Sequence, residues 1–149
     1  MATSPTIEAE TTRGAIMSAA VTPFLMFEGK AEEAMNFYVS LFPDARITSL
    51  TRYGPGETGA EGSAMKATFS LNGQSFMCFD SPVKHEFSFT PAISLFVDCD
   101  SDEQVDALFA RLSEGGKVLM PLGAYPFSRR YAWVSDRFGV SWQLNLRAS

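Results

Sequence analysis

Few residues in this chain are of a type that does chemistry. One histidine, His85, and two cysteines, Cys78 and Cys99, stand among 149 residues. A multi-Cys structural zinc site and a multi-His catalytic metal site are both excluded by counting. His85 lies in the stretch Ser81–Ser88, beside Lys84 and Glu86. Histidine is the residue type suited to acid/base work at the rim of a site. No neighbour in the sequence orients it, and a solvated loop histidine is the plainer reading. The cysteines fall in apolar strand patterns, where a free thiol behaves as a small buried residue. No nucleophile stands with an adjacent base, so no catalytic residue is assigned.

Three further groupings invite chemistry. Gly54-Pro55-Gly56-Glu57-Thr58-Gly59 matches GxGxxG. Phosphate binding needs a helix N-terminus directly after such a loop. Here Ala60-Glu61-Gly62-Ser63 leads into another strand pattern, so a hairpin loop is expected. Asp98, Asp100, Asp102, Glu103 and Asp106 suggest calcium. A helix begins among them, its N-terminus favours acids, and no Gly-centred calcium loop is present. The segment Pro121–Tyr131 (PLGAYPFSRRY) carries two prolines, three aromatics, Arg129 and Arg130, with Trp133 just beyond. It reads either as a lid whose arginines and aromatics touch a ligand, or as a packed connector.

These groups need elements to hold them. Val21–Phe27 is a compact apolar run suited to a strand. Ala31–Leu41 puts Ala34, Phe37, Tyr38 and Leu41 on one helical stripe, stopped by Pro43. Arg46–Tyr53 and Met65–Leu71 read as strands. Asn72-Gly73 is a type I′ turn pair, and Gln74–Asp80 returns. The second half repeats the order: strand Ala92–Cys99, then a Ser101-Asp102-Glu103-Gln104 capping box. That box opens a helix with Val105, Leu108, Phe109 and Leu112 on its apolar stripe, ended by Gly115-Gly116. Strands Lys117–Met120, Tyr131–Ser135 and Ser141–Leu146 follow. Thr22-Pro23 recurs as Thr90-Pro91, and Gly73-Gln74-Ser75-Phe76 as Gly139-Val140-Ser141-Trp142, which points to a duplicated strand–helix–three-strand unit.

Twelve Lys and Arg against seventeen Asp and Glu give a net charge of −5, which argues against a nucleic-acid partner. No apolar run approaches the ~18 residues of a membrane span, so no membrane partner is expected. Residues 1–20 read as a flexible tail without an export or transit signal. With no disulfide framework either, a cytoplasmic location is expected.

The segment Phe24-Leu25-Met26-Phe27-Glu28-Gly29-Lys30-Ala31-Glu32-Glu33-Ala34, with Asn36-Phe37-Tyr38 and Leu41-Phe42-Pro43 after it, resembles the opening of PhnB-like proteins. Tyr131-Ala132-Trp133 and Asp136-Arg137-Phe138-Gly139-Val140-Ser141-Trp142-Gln143 resemble their close, with Pro91-Ala92-Ile93-Ser94 between. This group is also labelled the 3-demethylubiquinone-9 3-methyltransferase domain family, within the vicinal oxygen chelate superfamily. The resemblance implies a single domain over 21–147, in modules of about 21–83 and 88–147. Its implied fold is α+β: two βαβββ modules whose mixed sheets curl into cups, commonly as a homodimer. It implies a divalent metal held in the cup by the first and last strands of each module. The methyltransferase label finds no support in the residues, since no helix-covered parallel-sheet pattern with a glycine loop is present.

Strand alternation then selects the cup face. Trp142, Leu144 and Leu146 pack on the helices, leaving Gln143 and Asn145 toward the cup. Ile93, Leu95 and Val97 pack inward, leaving Ala92, Ser94 and Phe96. By the repeat, Phe24 and Met26 correspond to Ala92 and Ser94, and Met77 to Gln143. The metal positions read Phe24, Met77, Ala92 and Gln143, a set without the oxygen donors a hard cation needs. No metal and no cofactor are therefore expected. The expected ligand-binding set is Phe24, Met26, Met77, Ser94, Phe96, Arg129, Arg130, Trp133 and Gln143, for a small, partly apolar organic molecule. The alternatives are an enzyme of the superfamily acting on a small metabolite, and a dimerisation scaffold.

Overall fold

The computed structural model describes residues 18–148, so nearly all of the expected N-terminal tail lies outside the described residues. The elements run β1 (Phe24–Phe27), α1 (Ala31–Val39), β2 (Ala45–Arg52), β3 (Ala64–Leu71), β4 (Gln74–Asp80), β5 (Leu95–Cys99), α2 (Asp102–Ser113), β6 (Lys117–Tyr125), β7 (Ser128–Ser135) and β8 (Ser141–Leu146). They form two four-stranded sheets, ordered β1-β4-β3-β2 and β5-β8-β7-β6. In each sheet the first strand runs parallel to the last, and the other pairs are antiparallel. This is the expected α+β architecture of two βαβββ modules with mixed, open sheets.

Local chemistry explains the elements. Asn72 (φ 46°) and Gly73 (φ 91°) supply the two positive φ values of the β3–β4 turn. Ser101 is extended at the start of α2, and its Oγ accepts the Gln104 N–H at 3.2 Å. The Gln104 carboxamide reaches back past Ser101 to accept the Asp100 N–H at 2.7 Å, a variant of the capping box shifted by one residue. No neighbouring side chain caps α1. Instead the Asp80 carboxylate, arriving from β4, accepts the N–H groups of Gly29 (2.8 Å), Ala31 (2.9 Å) and Ala64 (3.0 Å). Orphan donors at the helix start are thus satisfied from a strand in the same sheet.

The apolar faces of the two modules fuse into one core. Buried Ala31, Ala34, Met35 and Tyr38 of α1, with Ala67 and Phe69 of β3, join Val105 and Leu112 of α2 and Trp142 and Leu144 of β8. Tyr38 links the halves: its ring lies 5.3 Å from Trp142, and its hydroxyl donates to Asp136 at 2.7 Å. Arg137 stacks over Phe37 at 4.1 Å and over Phe138 at 4.8 Å. Burying each large side chain of this core is worth roughly 1.5–3 kcal/mol. The helix-packing faces of both sheets therefore meet, and the opposite faces turn away from the shared core.

Several expected boundaries move. β1 begins at Phe24, and Val21 is 92% exposed. β5 begins at Leu95, so Ala92 and Ile93 precede the strand, and Ile93 is 78% exposed rather than packed inward. The registers pair Phe24 with Met77 and Phe96 with Gln143. Phe96, not Ala92, is thus the counterpart of Phe24: the Thr-Pro echo is out of step with the strands that follow it. The segment 121–131 is not a loop. β6 runs through it to Tyr125 and β7 resumes at Ser128, leaving only Pro126 and Phe127 between them. Pro121 is tolerated because β6 is an edge strand with register shifts around Met120 and Gly123.

Candidate functional site

The outward face of the second sheet carries a row of connected polar side chains. Alternation along β7 and β8 puts Tyr131, Trp133, Ser141, Gln143 and Asn145 on that face, while Ala132, Val134, Trp142 and Leu144 fill the core. Tyr131 Oη lies 2.5 Å from Gln143 Oε1, and Gln143 Nε2 lies 3.2 Å from Ser94 Oγ. Ser94 Oγ is 2.7 Å from Ser141 Oγ, which also accepts the Trp133 indole N–H at 2.8 Å. Burial, and then neighbouring Tyr125, push the Tyr131 phenol above its ordinary value, so it remains a donor at neutral pH. Tyr125, Phe127 and Tyr131 pack edge-on or stacked at 4.9–5.6 Å at the hairpin end of the row. Phe96, 56% exposed, flanks the row on β5.

The corresponding face of the first sheet is apolar near its free edge. Phe24 and Met77 are register partners, as are Met26 and Phe79. Phe24 is 55% exposed, with its ring 5.0 Å from Phe79. Within one chain Phe24, Met26 and Met77 thus form one cluster, and Ser94, Phe96, Trp133 and Gln143 form another. The shared core stands between the faces that carry them.

The two arginines of the expected set differ in placement. Arg130 lies on the helix-packing side, where its guanidinium meets Asp106 of α2 at 2.6 Å, so it does not reach the cup. The reason is strand alternation: 130, 132 and 134 share a face, and 129, 131 and 133 the other. Arg129 is exposed at the hairpin base and donates to the Arg147 carbonyl at 3.0 Å. The sequence reading missed Tyr131 and Ser141 as members of the row. Once Trp133 and Gln143 were placed, the two-residue period along β7 and β8 pointed to both.

The residues present do not fit the superfamily's metal. Its positions read Phe24, Met77, Phe96 and Gln143, and a hard divalent cation takes several oxygen ligands. Only Gln143 has such an oxygen, and that oxygen already engages Tyr131. Among the described residues, no group of three His, Cys, Asp or Glu is placed to hold an ion. The acids near α2 are dispersed over separate partners: Asp98 accepts from Asn145 at 2.9 Å, Asp100 from Arg147 at 3.1 Å, and Asp106 from Arg130.

The His85 imidazole has one orienting partner, Ser81, and a backbone tie to Glu28, just past the end of β1. Its Nε2 lies 2.9 Å from Ser81 Oγ, and its backbone N–H donates to Glu28 at 3.2 Å. It lines a cavity of about 800 Å³ with Phe24, Glu28, Phe89 and Arg137. The GxGxxG segment forms part of the connection from β2 to β3, with no helix after it.

The 3-demethylubiquinone-9 3-methyltransferase family model matches residues 19–145. The PhnB protein from Bacillus cereus is 56% identical, with a TM-score of 0.85 over 87% of this chain and 100% of that one. Protein PA1353 from Pseudomonas aeruginosa is 27% identical, with a TM-score of 0.77 over 89% of this chain and 100% of that one. The fosfomycin resistance protein FosX from Listeria monocytogenes, solved with Mn(II) and sulfate, is 14% identical. Its TM-score of 0.55, over 88% of this chain and 93% of that one, shows a likeness of fold alone. No curated protein matches the chain.

Proposed function

The chain belongs to the 3-demethylubiquinone-9 3-methyltransferase domain family, the PhnB-like group with the vicinal oxygen chelate fold, and from that premise we propose that it is a homodimeric binding protein for a small, partly apolar organic molecule. One observation carries the proposal. Phe24 and Phe96, both more than half exposed, stand on β1 and β5, the free edges of two sheets whose outer faces turn away from the shared core. Exposed aromatics beside unpaired strand edges mark an interaction surface. Setting the first sheet of one copy against the second sheet of another closes a cup. Its walls are Phe24, Met26 and Met77 on one side, and Ser94, Phe96, Trp133 and Gln143 on the other. Arg129 belongs to the rim.

Binding without chemistry is favoured because the cup brings no nucleophile to a base. A bare dimerisation scaffold would have no use for a connected polar row facing an apolar wall. Both cysteines are free and buried, which suits a reducing compartment and hence the cytoplasm.

Light scattering after size exclusion tests the assembly. The native chain elutes as a dimer and Phe24→Asp or Phe96→Asp as a folded monomer. A monomeric native protein at tens of micromolar sinks the proposal. Thermal-shift screening tests the ligand, because a molecule selective for the native state raises the Tm. The dimer-breaking variants lose that shift.

A further inference from the structure

We propose that the cup takes a planar, uncharged molecule presenting a carbonyl-type oxygen as a hydrogen-bond acceptor, an inference that rests on the ligand-binding cup of the preceding section. It comes from counting hydrogens in the polar row. Tyr131, Gln143, Ser94, Ser141 and Trp133 are joined in that order by four links. Each link uses one hydrogen. The five residues bring five hydrogens to the row: the phenol, one amide N–H, two serine hydroxyls and the indole N–H. One donor is therefore always left over.

Which one is left depends on the amide. With Gln143 Oε1 toward Tyr131, the spare proton is on whichever serine accepts from the other. That serine oxygen then has both lone pairs filled and can only donate. With the amide turned over, Gln143 donates to Tyr131, Ser94 to Gln143 and Ser141 to Ser94, the Trp133 link is unchanged, and the spare proton is the Tyr131 phenol. The second amide hydrogen of Gln143 is spare in both cases. Tyr131 and Ser141 are themselves buried, so the spare hydrogens that reach the cup are those of half-buried Ser94 and Gln143; the second amide hydrogen of Gln143 asks for an acceptor in either order.

The acceptor is neutral by the same inspection. None of the five groups is a cation, and Arg130 is held away by Asp106. The charged side chain that β5 carries on this face is Asp98, a carboxylate held by Asn145. An anionic ligand would meet the Asp98 carboxylate beside the row, while Arg129, the cation on this face, lies exposed at the rim against the Arg147 carbonyl. A cationic group offers no lone pair to the spare hydrogens of the row. Planarity follows from the surround: exposed Phe96 beside the row, the Trp133 indole within it, and Phe24 with Phe79 on the facing wall offer ring faces for stacking.

Three isosteric probes separate the possibilities: 2-acetylnaphthalene, 2-ethylnaphthalene and 2-naphthoate. Each is titrated into the ¹⁵N-labelled native protein at pH 8, following the Trp133 indole N–H. The other tryptophan, Trp142, is buried against Asp136 and reports on the fold. One net hydrogen bond makes the ketone bind roughly five- to tenfold tighter than the hydrocarbon, and the naphthoate binds weakest. Gln143→Glu replaces the amide by a carboxylate that only accepts, leaving four hydrogens for four links. The surplus vanishes, and the ketone and hydrocarbon bind equally to that variant while the Trp142 resonance stays in place. If the hydrocarbon or the naphthoate binds the native protein as tightly as the ketone, the donor-surplus inference is overturned and the ligand cup stands. Retention of the ketone preference in Gln143→Glu overturns it equally. If none of the three moves the Trp133 resonance, the ligand cup itself fails.

Discussion

Replacing Asp136 by alanine removes one acceptor group from four donors. Its Oδ2 accepts from the Tyr38 hydroxyl at 2.7 Å and the Trp142 indole at 2.9 Å. Its Oδ1 accepts from the Phe138 and Val140 N–H groups at 2.8 and 3.0 Å. Tyr38 and Trp142 are 0% and 1% exposed, so water cannot replace the carboxylate for either of them. Leaving each buried donor unpaired costs roughly 1–3 kcal/mol; the part-buried Phe138 amide adds less because solvent is nearer, and the buried Val140 amide keeps a shorter route to relaxation in the turn. The expected total is about 3–5 kcal/mol, roughly a fifth or more of the stability of an ordinary domain. Tyr38→Phe removes one donor and leaves the carboxylate three others, so it costs about 1–2 kcal/mol. The same change in the Asp136→Ala background costs nothing or is favourable, because it deletes an orphaned phenol. Urea unfolding of the four proteins at one chain concentration, followed by tryptophan fluorescence, measures the coupling. A loss below about 1 kcal/mol for Asp136→Ala, or an equal cost of Tyr38→Phe in both backgrounds, would refute the idea that this carboxylate joins the modules.

Other outcomes follow from the same chemistry. Burial, aided by Asp80, pushes the Cys78 thiol up to about 12, and burial, aided by Asp98, pushes Cys99 up to about 11. Burial and Asp136 raise the Tyr38 phenol as well. Each group favours its protonated form in the fold, so its contribution is complete below about pH 9 and is lost as pH climbs toward 11–12. The urea midpoint is accordingly level from pH 7 to 9 and falls above; a midpoint that rises over that upper range contradicts the burial argument. Neither thiol reacts with a disulfide reagent at pH 8 until the protein is unfolded. Gly116→Ala is strongly destabilising in thermal melts, because a Cβ there would stand 2.2 Å from the Ser135 carbonyl oxygen.

Much of the architecture was legible because both modules obey simple periods. The Val105, Leu108, Phe109 and Leu112 stripe and the alternation in β8 locate the core faces directly: Phe109 is partly buried against the core, and Val105, Leu108, Leu112, Trp142, Leu144 and Leu146 are buried. The capping box named Ser101 and Gln104: Ser101 makes the bond it requires, while Gln104 takes the N–H of Asp100, one residue before the N-cap. What escaped was whatever local pattern does not encode. β6 continues past Met120 through Pro121 because it is an edge strand with bulged registers, a property of the finished sheet that local pattern does not carry. The start of β5 was misplaced because the Thr-Pro echo marks similar residues without fixing their distance from the strand. Arg130 looked available for a ligand since its partner, Asp106, lies 24 residues earlier on α2.

The deepest omission is Asp80, and it shows how two copies of one module reach the same end by different means. Asp80 and Leu146 end the last strands of their sheets, each register-paired with the end of the first strand, at Phe27 and Cys99. In the second module the helix is capped locally by Ser101, extended at φ −143° and ψ 158°, so the strand position is free to be a buried leucine. In the first module the residue before α1 is Lys30, at φ −113° and ψ 7°, and it makes no side-chain cap. The strand must then supply the acceptor, and Asp80 does. A serine introduced at Lys30 keeps the backbone angle that points its hydroxyl away from the first-turn donors, since capping needs an extended residue. Lys30→Ser therefore changes stability by less than about 0.5 kcal/mol, and it restores little of the roughly 2–3 kcal/mol lost in Asp80→Ala. Ser101→Ala costs about 1 kcal/mol by comparison. If Lys30→Ser recovers most of the Asp80→Ala deficit in urea melts, the first helix needed only an ordinary local cap, and the long-range role assigned to Asp80 is wrong.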